Sequence, residues 1–276
     1  MSIGRELSRR LSLLASLTKL PISLLATFSA VAGYAAFARG LGAAVLSPCA
    51  GLLLLGMGGC ALNEWEEREI DRRMERTRRR PLPSGAMRPA SGLAIGIALA
   101  ASGLAVLASG CGLAPAALGL LALVWYDGVY TPLKRVTAFA WLPGSLIGAI
   151  PPAIGWAAAG GSVLDRRLLP LALFFFLWQV PHFWLLLLDR AGEYEEAGFP
   201  SIAKVFGRGQ LARLTLVWTL AAAASSLLLP IWGVVASRWT SFALAAKLHR
   251  ELEQVQAAIA DHRRNAVSGS KAADRA

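Results

Sequence analysis

Long apolar runs alternate with short charged ones along most of the chain. Seven such runs, at 17–38, 41–62, 90–108, 112–131, 138–158, 168–188 and 211–229, are rich in Leu, Ala, Val, Ile, Phe and Gly. Each is long enough to cross a hydrocarbon core of about 30 Å as a helix. A membrane barrel would instead show alternating segments of about ten residues, and none is seen. The pattern predicts an all-α, polytopic transmembrane helix bundle. An eighth run, 231–248, is weakened by Arg238 and Lys247 and makes a marginal further span. Residues 1–248 read as one membrane-embedded domain, followed by a polar, disordered tail at 249–276.

Composition agrees: 55% of the 276 residues are hydrophobic and the mean hydropathy is +0.52. The net charge of +11 would suggest nucleic acid if it formed one solvated face. It does not, because the basic residues fall in alternate loops. Arg5, Arg9, Arg10 and Lys19 open the first run. Arg68 to Arg80 separate the second and third, Lys134 and Arg135 the fourth and fifth, and Arg190, Lys204, Arg208 and Arg213 follow the sixth. The other loops carry only Arg39, an uncharged turn at 109–111 and the pair Arg166–Arg167. The positive-inside rule then places the N-terminus and the charged loops in the cytoplasm. The basic tail joins them only if 231–248 also crosses. Ala36-Phe37-Ala38 resembles a signal cleavage site, but the run before it is long and interrupted by Lys19 and Pro21, which favours a retained anchor. Cys49, Cys60 and Cys111 lack metal-ligand spacing and read as packing residues.

Candidate chemistry gathers in the cytoplasmic loops. Asn63, Glu67 and Asp71 stand at i, i+4 and i+8, so a helix continuing past the membrane surface would carry them on one stripe. Oxygen donors so arranged suit Mg²⁺, which takes a few carboxylates and shares its other positions with water and substrate phosphates. Arg72, Arg76 and Arg80 could hold the same diphosphate, although Glu and Arg at this spacing can also form a solvated, ion-paired helix end. The turn Arg80-Pro81-Leu82-Pro83-Ser84-Gly85 is stiff and would keep Arg80 near that helix. Lys134 and Arg135 are either topogenic charges or partners for a diphosphate or a heme propionate. Gly144 and Gly148 suggest close helix packing, and Pro151–Pro152 a broken span lining a cavity. Gln179 and His182 lie inside an apolar run and are expected to face the bundle interior, as site residues or as hydrogen-bonded packing residues. Glu193-Tyr194-Glu195-Glu196 forms a second acidic patch on the same side as the first.

These motifs together resemble the UbiA-type intramembrane prenyltransferases, over residues 17–207. Asn63-x-x-x-Glu67-x-x-x-Asp71 with Met74, Arg76-Thr77 and Arg80-Pro81-Leu82 is similar to that family's first acidic motif. Tyr130-Thr131 with Leu133-Lys134-Arg135, Gly148-Ala149 with Pro151-Pro152, and Trp178-Gln179 with Pro181-His182-Phe183 resemble its heme-directed branch. Tyr194, Ala197-Gly198 and Pro200 resemble that branch's second motif. The resemblance implies transfer of a farnesyl group from farnesyl diphosphate to a vinyl group of protoheme IX in a bacterial cytoplasmic membrane, with Mg²⁺ as cofactor. It places Asn63, Glu67, Asp71 and Glu193 at the metal. Asp71, Arg76, Arg80 and Lys134 become catalytic, and Arg72, Arg135, Gln179, His182 and Tyr194 substrate-binding. Partners would be the bilayer and downstream heme-modifying or oxidase-assembly proteins, with no nucleic acid. Glu67 stands where the family usually has Asp, Gly192 where an acid is usual and Lys204 where a proline is usual. The family fold has nine helices, more than are counted here. Two other readings stay open: a different aromatic acceptor, or a heme-binding assembly protein that has lost its metal.

Overall fold

The computed structural model describes residues 3–189, 198, 200 and 202–235. Among the described residues there is no strand, and the helical class expected from the apolar runs is what the chain adopts. The helices are α1 (Ile3–Leu17), α2 (Leu20–Ala38), α3 (Leu46–Asp71), α4 (Pro89–Cys111), α5 (Leu113–Leu123), the short α6 (Thr131–Leu133), α7 (Trp141–Ala158), α8 (Leu168–Asp189), α9 (Ile202–Val205) and α10 (Arg208–Ile231). A π-helical segment, Val124–Tyr130, joins α5 to α6. Among the described residues, six helical stretches are long and apolar enough to cross a membrane, and the apolar Leu168–Trp184 adds a shorter one.

The first apolar run divides differently from expectation. It does not start a span at residue 17: α1 is a separate helix, and Lys19 at φ 44° and ψ 50° turns the chain before α2. The residue is left-handed without being glycine, a conformation that tertiary contacts must hold. The proline pair also departs from expectation, because Pro151 and Pro152 are buried inside a continuous α7. Their missing N–H groups cost two hydrogen bonds but do not break the helix, since α2 packs tightly along that stretch. A Cβ on Gly33 would lie 1.9 Å from the Pro152 carbonyl oxygen, and one on Gly155 would lie 1.8 Å from that of Ala30. Lipid offers no hydrophobic drive between helices, so such close backbone approach is what holds them. The pair α3 and α4 uses the same device, with Gly58 against Ala100 and Gly103 against Leu55.

A second packing centre joins α7, α8 and α10 through Trp141, Trp184 and Trp218, whose rings meet edge to face at 4.8–6.3 Å. Large apolar side chains such as Leu120, Leu121, Val124, Val217 and Leu220 face outward, as hydrocarbon requires. α10 stops at Ile231 and turns at Gly233. Most of the proposed eighth run, from residue 236, lies outside the described residues, as does the tail.

What positions the site is the length of α3. Its 26 residues span about 39 Å at 1.5 Å per residue, more than a hydrocarbon core of about 30 Å. Measured from Leu46, Asn63 lies about 26 Å and Asp71 about 38 Å along the helix, so the stripe Asn63, Glu67 and Asp71 runs from inside the hydrocarbon edge to beyond it in helical register.

Candidate active site

Asn63, Glu64, Glu67 and Asp71 are all buried, at 1%, 0%, 4% and 5% relative exposure. Polar groups so deep need partners, and each finds one. Lys19 Nζ donates to Asn63 Oδ1 at 2.6 Å, so the left-handed turn at Lys19 aims its ammonium at the stripe. Burial pulls that ammonium below the usual lysine range. Asn63 Nδ2 donates in turn to Glu67 Oε2 (3.1 Å) and to Thr131 Oγ1 (3.0 Å). Lys134 Nζ meets Glu67 Oε2 at 2.6 Å. Arg80 Nη1 meets Asp71 Oδ2 at 2.7 Å. The turn after α3 thus returns Arg80 to the stripe, as its prolines suggested. Two further bonds fix that turn: the Leu82 N–H donates to Glu64 Oε1 (3.1 Å), and Thr77 Oγ1 to the Asp71 carbonyl (2.9 Å).

Next to this polar layer lies a cluster of aromatic rings. Tyr130 stacks on Tyr126, with centroids 6.0 Å apart, and tilts against Phe183 of α8 at 6.0 Å. Lys134 Nζ lies 5.4 Å from the Tyr130 ring centre. Gly144 leaves room for the Tyr130 ring, and Gly148 for the Gln179 amide. These two glycines admit side chains; a backbone contact is instead made at Gly155.

The remaining sequence candidates fall on a rim. Arg72 is turned along the loop, bonding the Pro83 carbonyl (3.0 Å) and Glu69 (2.9 Å). Arg135 is exposed and donates to the Glu66 carbonyl at 3.0 Å. Arg76 is exposed, with no hydrogen bond or ion pair among the described residues. His182 does not face the packed interior: it is exposed and stacked on exposed Trp178, at 5.2 Å and 11°. The helical period puts 178 and 182 on one stripe while Val180 and Trp184 take the buried one. Glu193 and Tyr194 lie outside the described residues.

Several groups escaped the sequence reading. Glu64 ties the Leu82 turn to α3, and Lys19, a charge at the start of the first run, reaches Asn63. Asp127 is the clearest omission. It is buried in the π-helical segment, neither carboxylate oxygen has a hydrogen-bond partner, and a Cβ on Gly59 would lie 3.5 Å from Oδ2. A carboxylate inside an apolar run was signal enough to find it. An open pocket of about 310 Å³ lies alongside, lined by Trp65, Glu66, Arg68, Asp127, Pro132 and Arg135.

Glu67 Oε1 and Glu64 Oε2 are likewise buried without partners. The arrangement is therefore a buried polar layer next to a cluster of aromatic rings, with cations beside carboxylates that keep free acceptor atoms. Fold and site together define a polytopic helical membrane protein with a buried, charge-compensated polar cluster at one end of its bundle. The UbiA prenyltransferase family matches residues 23–264, and the chain belongs to that family. Over 227 residues it is 46% identical to the protoheme IX farnesyltransferase of Geobacter sulfurreducens, covering 82% of this chain and 84% of that one. It is 35% identical over 221 residues to the protoheme IX farnesyltransferase of Oleidesulfovibrio alaskensis, covering 80% and 78%. A UbiA homolog from Archaeoglobus fulgidus bound to GPP and Mg²⁺ shares the fold, with TM-score 0.69 at 13% identity over 89% of this chain and 87% of that one. A UbiA homolog from Aeropyrum pernix K1 does so with TM-score 0.59 at 20% identity, over 87% and 90%.

Proposed function

We propose that this chain transfers a farnesyl group from farnesyl diphosphate to a vinyl group of protoheme IX, giving heme O, at the cytoplasmic side of a bacterial inner membrane. Relatives bearing that activity in their names support the acceptor. The observation that carries the chemistry is the buried, charge-compensated stripe Asn63–Glu67–Asp71 beside the Tyr126, Tyr130 and Phe183 rings.

Mg²⁺ fits the donors present. Glu67 Oε1 is buried without a partner, and Asp71 sits one turn further along the same face. The described residues hold no group of three His, Cys, Asp or Glu that would cage a metal. Mg²⁺ does not need one, because it is held by one or two carboxylates and by substrate phosphates and water. Asn63, Glu67 and Asp71 would hold the ion, with Glu193 for a second. When bound, it supplies Lewis-acid neutralisation of the diphosphate.

Lys134 and Arg80, now paired with Glu67 and Asp71, stabilise the charge that collects on the diphosphate as the allylic C–O bond breaks. Arg76 at the rim adds a cation, while Arg72 and Arg135 guide the anionic groups inward. The Tyr126 and Tyr130 ring faces shelter the positive allylic fragment. A vinyl carbon of protoheme bonds to its C1, water adds to the resulting cation, and a proton leaves to give the hydroxyethylfarnesyl product. Gln179, His182 and Tyr194 orient the porphyrin. The product then passes to heme-modifying or oxidase-assembly proteins.

Membranes containing the chain, given protoheme, farnesyl diphosphate and Mg²⁺, should yield farnesylated hydroxyethyl heme by mass spectrometry, and Asp71→Ala should abolish it. A folded protein that binds heme but forms no product would overturn the catalytic reading in favour of a heme-binding one.

A further inference from the structure

The N-terminal helix is unlike the others. α1 has 15 residues, about 22 Å of helix, too short and too polar to cross a membrane. Leu7, Leu11 and Leu14 stand at i, i+4 and i+7, which puts them on one stripe, and they are 56%, 58% and 36% exposed. Only the C-terminal end of the helix enters the core, where Leu17 is buried with Ala61 and Leu82. Arg5 and Arg9 lie on the opposite face, while Arg10, three residues after Leu7, borders the leucine stripe, where its long side chain can reach up to the headgroups. The single acidic residue, Glu6, pairs with Arg10 at 2.8 Å. Arg5 and Arg9 have no ion-pair partner among the described residues.

The other end of α1 is held at a defined height. Thr18 Oγ1 donates to the Leu14 carbonyl, closing the helix. The left-handed Lys19 then turns the chain into α2 and reaches Asn63 in the polar layer. The Leu stripe and the Arg face are therefore carried at the membrane end where α3 emerges.

We propose that α1 lies flat on the bilayer as an in-plane anchor for an anionic lipid surface, with Leu7, Leu11 and Leu14 in the acyl boundary and Arg5, Arg9 and Arg10 among lipid phosphates. An amphipathic helix with a basic polar face and little net hydrophobicity has this binding mode. Charge selects the occupant. A second copy packed on the leucines would leave Arg5 and Arg9 on the far face without a counter-charge, whereas an anionic leaflet offers acyl chains to the leucines and phosphates to the arginines. The assignment does not depend on the reaction proposed above.

The test is hydrogen exchange on the full chain, one molecule per nanodisc, in phosphatidylcholine alone and with phosphatidylglycerol added. Amides of residues 5–16 should exchange at least tenfold more slowly with the anionic lipid. Arg5→Gln, Arg9→Gln and Arg10→Gln combined should remove that difference. Leu7→Ser with Leu11→Ser should restore fast exchange in both lipids. Equal rates in the two lipids, or slow exchange that persists in the triple arginine variant, would overturn the proposal. So would slow exchange that appears only when two chains share a disc, which would assign the stripe to a second copy.

Discussion

The two ends of the bundle use charge in opposite ways. At the end without the site, charged side chains close helices and rest on the surface. Arg39 donates to the carbonyls of Val234 and Gly233, the first at 3.1 Å. Arg167 pairs with Asp165 at 2.6 Å and lies over the Phe37 and Trp156 rings. Among the described residues, no side-chain acceptor there is buried without a partner. At the site end, four polar residues of α3 are buried and cations are drawn in to meet them, yet Glu64, Glu67 and Asp127 keep unpartnered oxygens. Burying charge is unfavourable unless it is paired. Retaining free acceptors as well is what the proposed site would need to exchange partners with a substrate.

The largest effect expected from this contrast is on turnover. Asp71→Asn keeps the size of the side chain but removes its charge, and product formation should fall on the order of 10²–10³-fold in a mass-spectrometric assay. A loss smaller than tenfold would mean that the stripe is only structural. Next, Lys134→Ala strands the Glu67 carboxylate. Because Lys134 is 22% exposed, the loss should be about 2–3 kcal/mol, below that of a fully buried pair. Lys134→Ala with Glu67→Ala should recover most of that stability in a thermal melt and none of the activity.

Asp127→Leu should raise stability by about 1–3 kcal/mol, since it removes a buried carboxylate with no partner. A simultaneous drop in product would show that the residue is kept for function; unchanged turnover would remove it from the site. Gly155→Ala tests packing away from the charges. Its new methyl would meet the Ala30 carbonyl, and a loss of about 1–3 kcal/mol is expected in the same melt.

The smallest effect lies at the far end. Arg167 bonds the Asp165 carboxylate and holds it below the usual carboxylate range. A lowered folded value means the pair stabilises the protein above the unfolded value of 3.8 and ceases to as pH falls through the folded one. Arg167→Ala should leave turnover unchanged and flatten the dependence of melting temperature on pH at the acid end.

Much of the site was legible because it is local. Asn63, Glu67 and Asp71 lie on one helix, and a period of 3.6 aligns them whatever packs nearby. The return of Arg80 was legible too, because Pro81 and Pro83 leave the turn few conformations. His182 was not, since an apolar run shows that a polar residue is inside a helix but not which stripe its neighbours bury. The pairing of Lys19 with Asn63 and of Lys134 with Glu67 joins residues far apart in the chain, and no local pattern encodes it.

From sequence alone came the helical membrane class, the apolar runs, the single-helix acidic stripe and the resemblance to a prenyltransferase family, because hydropathy and helical period act over neighbouring residues. Only the tertiary structure decided that α1 is separate from the first span and that Pro151 and Pro152 stay within a continuous helix. It alone showed that Asp127 faces Gly59 with both oxygens unsatisfied. Each of these depends on what another helix brings to within a few ångströms, and that is settled by packing between segments distant in the chain.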